Sequence, residues 1–191
     1  LAATALGESK STARKKAYAI VEKIQFEGMQ FRKDIAEDLV SFDINFEEEK
    51  WKECGIGFYD FFKRLLKVTL KTHFQIAKQE YETYEFSILL TNDNHMQTLN
   101  KEHRGKEKPT NVLSFPLNVS YEEGKVLMGD IVISLDTMKR EATEQEKPFK
   151  EHLAHLFVHS VLHLFGYDHE EEKPQEEMEY LEDKILQQIF P

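Results

Sequence analysis

The sequence predicts an α+β domain in which helices pack on a small mixed sheet, and three observations carry that prediction. Some stretches alternate apolar and polar residues, others repeat apolar residues at helical spacing, and the helices gather among only a few strands. With 191 residues and 40% hydrophobic content, the chain can bury one core, and a second full domain would strain the usual size range.

Taken in order, Thr12 to Ile24 reads as an amphipathic helix. Leu39 to Phe46 (Leu-Val-Ser-Phe-Asp-Ile-Asn-Phe) has the period of a half-buried strand. Phe58 to Ile76 sets Phe58, Phe61, Phe62, Leu65, Leu66 and Leu70 at helical spacing, so these belong to the core. Phe86 to Leu90 is a strand, and Asn92 or Asp93 caps a short helix reaching Glu102. Val112 to Phe115 and Leu127 to Ile133 are strands joined through a loop containing Gly124. Leu135 to Glu146 is a helix, Pro148 opens the next at Phe149, and Pro174 opens the last, which runs to about Ile189.

Composition shifts near the start. Residues 1–28 carry a charge of +2 against -12 for the remainder, so they read as an appended helical segment, or as sequence upstream of a native start at Met29. Residues 29–191 then form a single domain. The lone cysteine, Cys54, cannot form an intramolecular disulfide, which suits a reducing compartment. There is no run of eighteen apolar residues to span a membrane, and the N-terminus does not read as a secretory signal. A net charge of -10 argues against nucleic-acid binding by bulk electrostatics. Lys101, Arg104, Lys106 and Lys108 nevertheless form a local basic cluster, whereas residues 170–191, with eight carboxylates and two lysines, read as a solvated acidic face.

The most informative stretch is His159-Ser-Val-Leu-His163-Leu-Phe-Gly166-Tyr-Asp-His169. Residues four apart share a helix face, so His159 and His163 can turn their imidazoles to one point. Gly166 is suited to end the helix in the left-handed conformation, which lets the chain fold back and deliver His169 as a third ligand. Three neutral imidazoles leave a tetrahedral position open, the mark of a catalytic zinc. His152 and His155 lie on the same predicted helix; His155, one turn before His159, reads as a supporting or structural residue or as an additional ligand. The predicted sheet therefore carries a metal-binding helix.

This run resembles the His-Gly-x-Leu-His-Leu-x-Gly-Tyr-Asp-His signature of the YbeY family, bacterial and organellar zinc-dependent endoribonucleases. Leu99-Asn100 through Arg104-Gly105 to Pro109-Thr110-Asn111-Val112-Leu113-Ser114-Phe115-Pro116 is similar to a second family block, and Gly129-Asp130-Ile131-Val132-Ile133-Ser134 to a third. The resemblance covers roughly Leu39 to Phe190. Ser160 stands where the family has glycine, and Asn111 where aspartate is commoner. Gly7-Glu8-Ser9-Lys10 before an alanine- and lysine-bearing helix resembles the last helix of double-stranded RNA-binding domains, although one helix is not that domain.

The resemblance implies a single-strand-specific, metal-dependent endoribonuclease in ribosomal RNA processing, namely maturation of the 16S rRNA 3′ end and ribosome quality control. It implies one Zn2+ per chain, ribosomal RNA and the small ribosomal subunit as partners rather than DNA or a membrane, and a bacterial cytoplasm or an organelle matrix as location. Ser160 also occupies the position where His-Glu-x-x-His metalloproteases carry their general base, so the protease reading loses its base. Arg104 is the candidate guanidinium for the charge that develops on phosphorus. Asp168 is expected to orient an imidazole or assist proton transfer. A metal hydrolase of another substrate, and a non-catalytic ribosome-assembly factor with structural zinc, remain as alternatives.

Overall fold

The structure, a computed structural model, describes residues 3–8, 10–24, 40–77, 83–122, 125–167 and 172–191. The chain divides into two compact units, Leu1–Leu39 and Val40–Pro191. The boundary expected at Met29 lies outside the described residues. In the first unit α1 spans Lys10–Val21, with the Arg14 guanidinium 5.1 Å above the Tyr18 ring one turn on.

The second unit holds β1 (Val40–Phe46), a 3-10 helix (Glu49–Cys54), α2 (Phe58–Ala77), β2 (Thr83–Thr91), α3 (Asp93–Arg104), β3 (Val112–Glu122), β4 (Lys125–Ser134), α4 (Leu135–Glu144), α5 (Phe149–Leu164) and α6 (Glu172–Ile189). The four strands lie in the order β1-β2-β4-β3. β1 with β2 and β2 with β4 are parallel, whereas β3 runs antiparallel to β4 along one edge, so the sheet is mixed as expected.

Alternation along the strands divides the core between two faces. Met96 and Leu99 of α3 pack with Leu89, Leu113, Phe115 and Val132. Their neighbours Ile88, Leu90, Ile131 and Ile133 point the other way and are fully buried. On α2 and α5 the core continues in Phe62 and Phe157, whose ring centroids stand 4.4 Å apart. No described helix is long and apolar enough to cross a membrane.

Two local devices lock this arrangement. Asn92 caps α3 by accepting from the amides of Asn94 (3.1 Å) and His95 (3.2 Å). The next residue, Asp93, reaches across to the start of α4: its Oδ1 accepts from Ser134 Oγ (2.5 Å), the Thr137 amide (3.1 Å) and Thr137 Oγ1 (2.6 Å), while Asp136 returns a carboxylate to the Asp93 amide (3.1 Å). Burial pushes the Asp93 carboxyl up, but donors from Ser134, Thr137 and Arg140 outweigh it and hold its pKa below the ordinary value. In the third sequence block, Gly129 has φ 137, and a Cβ there would stand 2.1 Å from the Phe115 carbonyl oxygen. Only glycine lets β3 and β4 approach so closely.

The path of α5 sets the place of the site. It starts at the carboxyl edge of the parallel strands, where Phe149 meets Trp51 (6.1 Å between centroids) and Trp51 Nε1 donates to the Thr91 carbonyl (2.9 Å). It ends at their amino edge, where Phe165 meets Tyr84 of β2 at 5.3 Å.

Candidate functional site

His159 and His163 occupy the last two turns of α5 and converge as their spacing predicts, Nε2 facing Nε2 at 3.0 Å. Gly166, at φ 85, ends the helix as expected. Its amide donates to the His163 carbonyl (2.9 Å) and the Tyr167 amide to the Leu162 carbonyl (3.1 Å), the pairing of a Schellman end. That reversal brings the Tyr167 carbonyl back to His163 Nδ1 at 2.8 Å. His159 Nδ1 meets Glu182 Oε1 of α6 at 2.7 Å.

These partners assign the tautomers. A carbonyl and a carboxylate oxygen only accept, so each ring carries its proton on Nδ1 and presents the Nε2 lone pair to the other ring. Two lone pairs 3.0 Å apart repel unless a metal ion or a shared proton lies between them. Two nitrogens bound to one tetrahedral zinc would lie about 3.3 Å apart, close to the observed separation. The donor set thus fits a metal, with each ring's second nitrogen anchored in the manner of metal-binding histidines. Among the described residues no group of three or more His, Cys, Asp or Glu is arranged to hold a metal ion. The expected third ligand, His169, and the expected helper, Asp168, lie outside the described residues.

Glu182 escaped the sequence reading, which gave it to a solvated acidic face. It is 7% exposed and bridges two turns of α5, with Oε2 taking His155 Nε2 at 3.0 Å. Burial alone would raise its pKa; the hydrogen bonds and charges of His155 and His159 outweigh that and lower it to about 2. A sequence signal did exist: Met178, Leu181, Ile185 and Ile189 form the buried stripe of α6, and Glu182 falls within it. His155 is accordingly turned toward a carboxylate. His152 supports a different place, its Nε2 lying 3.0 Å from Glu141, to which Asn111 also donates at 3.0 Å. An aspartate at position 111 would set a second carboxylate against Glu141, and the amide removes that repulsion. Ser160 is fully buried, with its hydroxyl donating to the Leu156 carbonyl at 2.9 Å, so no side chain of α5 takes the place of a protease's base there.

Arg104 closes α3, exposed and without a hydrogen bond or ion pair to any described residue. Among the described residues no hydrogen bond or ion pair joins it to the histidine pair. Of the other basic residues, Lys101 is engaged by Glu107 at 2.6 Å. Beside the pair, between α5 and α6, lies a groove of about 550 Å³ bordered by His155, His159, Glu179, Glu182 and Asp183. Its carboxylates oppose a phosphate chain on that side.

Residues 43–190 match the family described as Endoribonuclease YbeY, and residues 1–38 match phosphoribosylglycinamide synthetase, C domain. The chain is 40% identical over 154 residues to Endoribonuclease YbeY of Bartonella henselae, covering 79% of this chain and 94% of that one. Its identity to the Sinorhizobium medicae relative of the same name is 50% over 111 residues, covering 56% of this chain and 66% of the relative. With the Bradyrhizobium diazoefficiens relative the matched stretch spans 58% of that protein. The solution structure of TM1509 from Thermotoga maritima superposes with a TM-score of 0.54 at 25% identity, over 78% of this chain and 89% of that one. A family match across residues 43–190, on a fold with the histidine pair where the signature requires it, leads to one conclusion: the chain belongs to the Endoribonuclease YbeY family.

Proposed function

We propose that the Val40–Pro191 unit is a zinc-dependent, single-strand-specific endoribonuclease of ribosomal RNA processing, acting in 16S rRNA 3′ end maturation and ribosome quality control with the small ribosomal subunit. The location proposed with it is a bacterial cytoplasm, or an organelle matrix if the source is eukaryotic. One observation carries it: two imidazoles, each locked with its proton on Nδ1, aim their lone pairs at one point from 3.0 Å apart. Relatives named Endoribonuclease YbeY support the choice of RNA.

His159 and His163 would hold the ion through Nε2, with His169 as the third ligand. In such a site zinc supplies Lewis acidity toward a phosphoryl oxygen and activates water near neutral pH. Glu182 and the Tyr167 carbonyl hold the two rings by Nδ1 and orient them. Arg104, with no protein partner among the described residues, has its whole guanidinium available for phosphate oxygens. The acidic groove between α5 and α6 turns the substrate away from that side of the pair. A structural zinc would need a fourth protein ligand, and Glu182, the carboxylate beside the pair, already has both oxygens committed to histidines.

The test compares binding and cleavage on one single-stranded RNA at one salt concentration. Wild-type protein is expected to carry about one zinc per chain and to cut; His163→Ala is expected to bind with a similar affinity and salt slope while cutting nothing. Absence of zinc uptake, or cutting by His163→Ala at the wild-type rate, would overturn the reading.

A further inference from the structure

We infer that Glu182 is a positioning residue for the metal ligands, one carboxylate that fixes His159 as a ligand and withholds His155 from that role. This rests on the zinc reading above and extends it to a residue on a different helix. The geometry is specific. Residues 155 and 159 lie one turn apart on α5, so their rings stack along one face, and both reach α6. Glu182 divides its oxygens between them, Oε1 to His159 Nδ1 at 2.7 Å and Oε2 to His155 Nε2 at 3.0 Å.

The two rings are gripped by opposite nitrogens, and the consequence differs for each. Held by Nδ1, His159 must offer Nε2, the nitrogen that faces His163 at 3.0 Å. Held by Nε2, His155 has its outer nitrogen spent on the carboxylate, and what remains is Nδ1, close to its own backbone. A residue one turn from a ligand, with the same chemistry, is thereby kept from competing for the ion. The side chain of Glu182 is 9% exposed, so water is a poor substitute for either contact. Without the carboxylate, His159 could adopt the other tautomer and His155 could turn toward the pair.

The experiment uses the full chain, stripped of metal, with zinc affinity read by competition against a chromogenic chelator. Glu182→Gln keeps the shape but can accept from only one ring through its single carbonyl oxygen; it is expected to weaken zinc binding about tenfold. Glu182→Leu, which serves neither ring, is expected to weaken it toward about a hundredfold. His155→Gln should stay within about threefold of wild type, because that ring is not a ligand. Long-range proton–nitrogen spectra of the zinc-free protein provide a readout that loss of packing alone does not give: His159 should show the Nδ1–H tautomer in wild type and a tautomer mixture in Glu182→Leu. Equal zinc affinity in all variants, an unchanged His159 tautomer in Glu182→Leu, or a hundredfold loss in His155→Gln would each overturn the inference. Should Glu182→Leu fail to fold, the near-isosteric glutamine variant decides alone, on affinity and on the resonances of both rings. If wild-type protein takes up no zinc, the proposed function fails, whereas the tautomer measurement still decides the role of Glu182.

Discussion

Replacing Asp93 should test the joint that holds α3, and with it Arg104, against the sheet. In Asp93→Ala the Thr137 amide, the Thr137 hydroxyl and the Ser134 hydroxyl lose their acceptor, and both residues are buried, at 3% and 0% exposure. A buried donor left without a partner costs about 1–3 kcal/mol. The hydroxyls can rotate to other acceptors but the amide cannot, so a total of about 3 kcal/mol is expected. With a urea slope of about 2 kcal/mol/M, the midpoint should fall by about 1.5 M. Asp93→Asn retains an acceptor and loses the charge, so about 1 kcal/mol is expected. The assay is the fluorescence of Trp51, the chain's single tryptophan, which is fully buried and bonded to the Thr91 carbonyl two residues from Asp93. Acid supplies a second check. The pKa of Asp93 is depressed in the folded protein, so its contribution is complete above the unfolded value near about 4 and is lost as pH falls through the lower folded value. The gap between wild type and Asp93→Asn should therefore narrow between about pH 4 and pH 2. A loss below about 0.5 kcal/mol in Asp93→Ala, or a gap that does not change in acid, would refute this account.

Other substitutions probe separate parts of the molecule. Gly129→Ala places a methyl 2.1 Å from the Phe115 carbonyl oxygen at φ 137, and a loss of about 3 kcal/mol or more is expected by thermal unfolding. Arg104→Ala should lower RNA cleavage at least about tenfold while shifting Tm by less than about 2 °C, and Arg104→Lys should restore little, because a point charge does not reproduce the guanidinium fork. Removing residues 1–28, which we propose as an appended segment, should leave the Trp51 unfolding transition and zinc uptake unchanged; a shift in either would assign that segment to the domain.

What the sequence made legible was local. His159 and His163 declare a common helix face by spacing, and Gly166 declares the end of that helix as the residue type that most readily takes the positive φ found there. The core of α2 was readable because Phe58, Phe62, Leu65 and Leu66 recur at the helical period. β3 was expected to stop at Phe115 but runs to Glu122. Pro116 usually argues against a continuing strand, yet β3 is an edge strand whose register shifts between Pro116 and Val119, with Asn118 at φ 52, and that irregularity accommodates it. The 3-10 helix Glu49–Cys54 gave no periodic signal, and Trp51 is anchored within it by a partner forty residues away. Glu182 was missed although it falls on the apolar stripe of α6, because its neighbours along the chain are charged and its histidines come from another helix.

The depth of α5 has a consequence for how costly it is to load the site. Val158, Ser160, Val161, Leu162 and Leu164 are fully buried around the two histidines, so their backbone amides should exchange with solvent only when the whole unit opens. The entropy of fixing His159 and His163 is consequently lost during folding rather than at the moment of binding. An ion arriving at Nε2 meets a scaffold already still. Amide exchange across Val158 to Leu164 should already follow opening of the whole unit in metal-free protein, and zinc should slow it only by as much as it stabilises that unit, which would mark the pair as a rigid receptor.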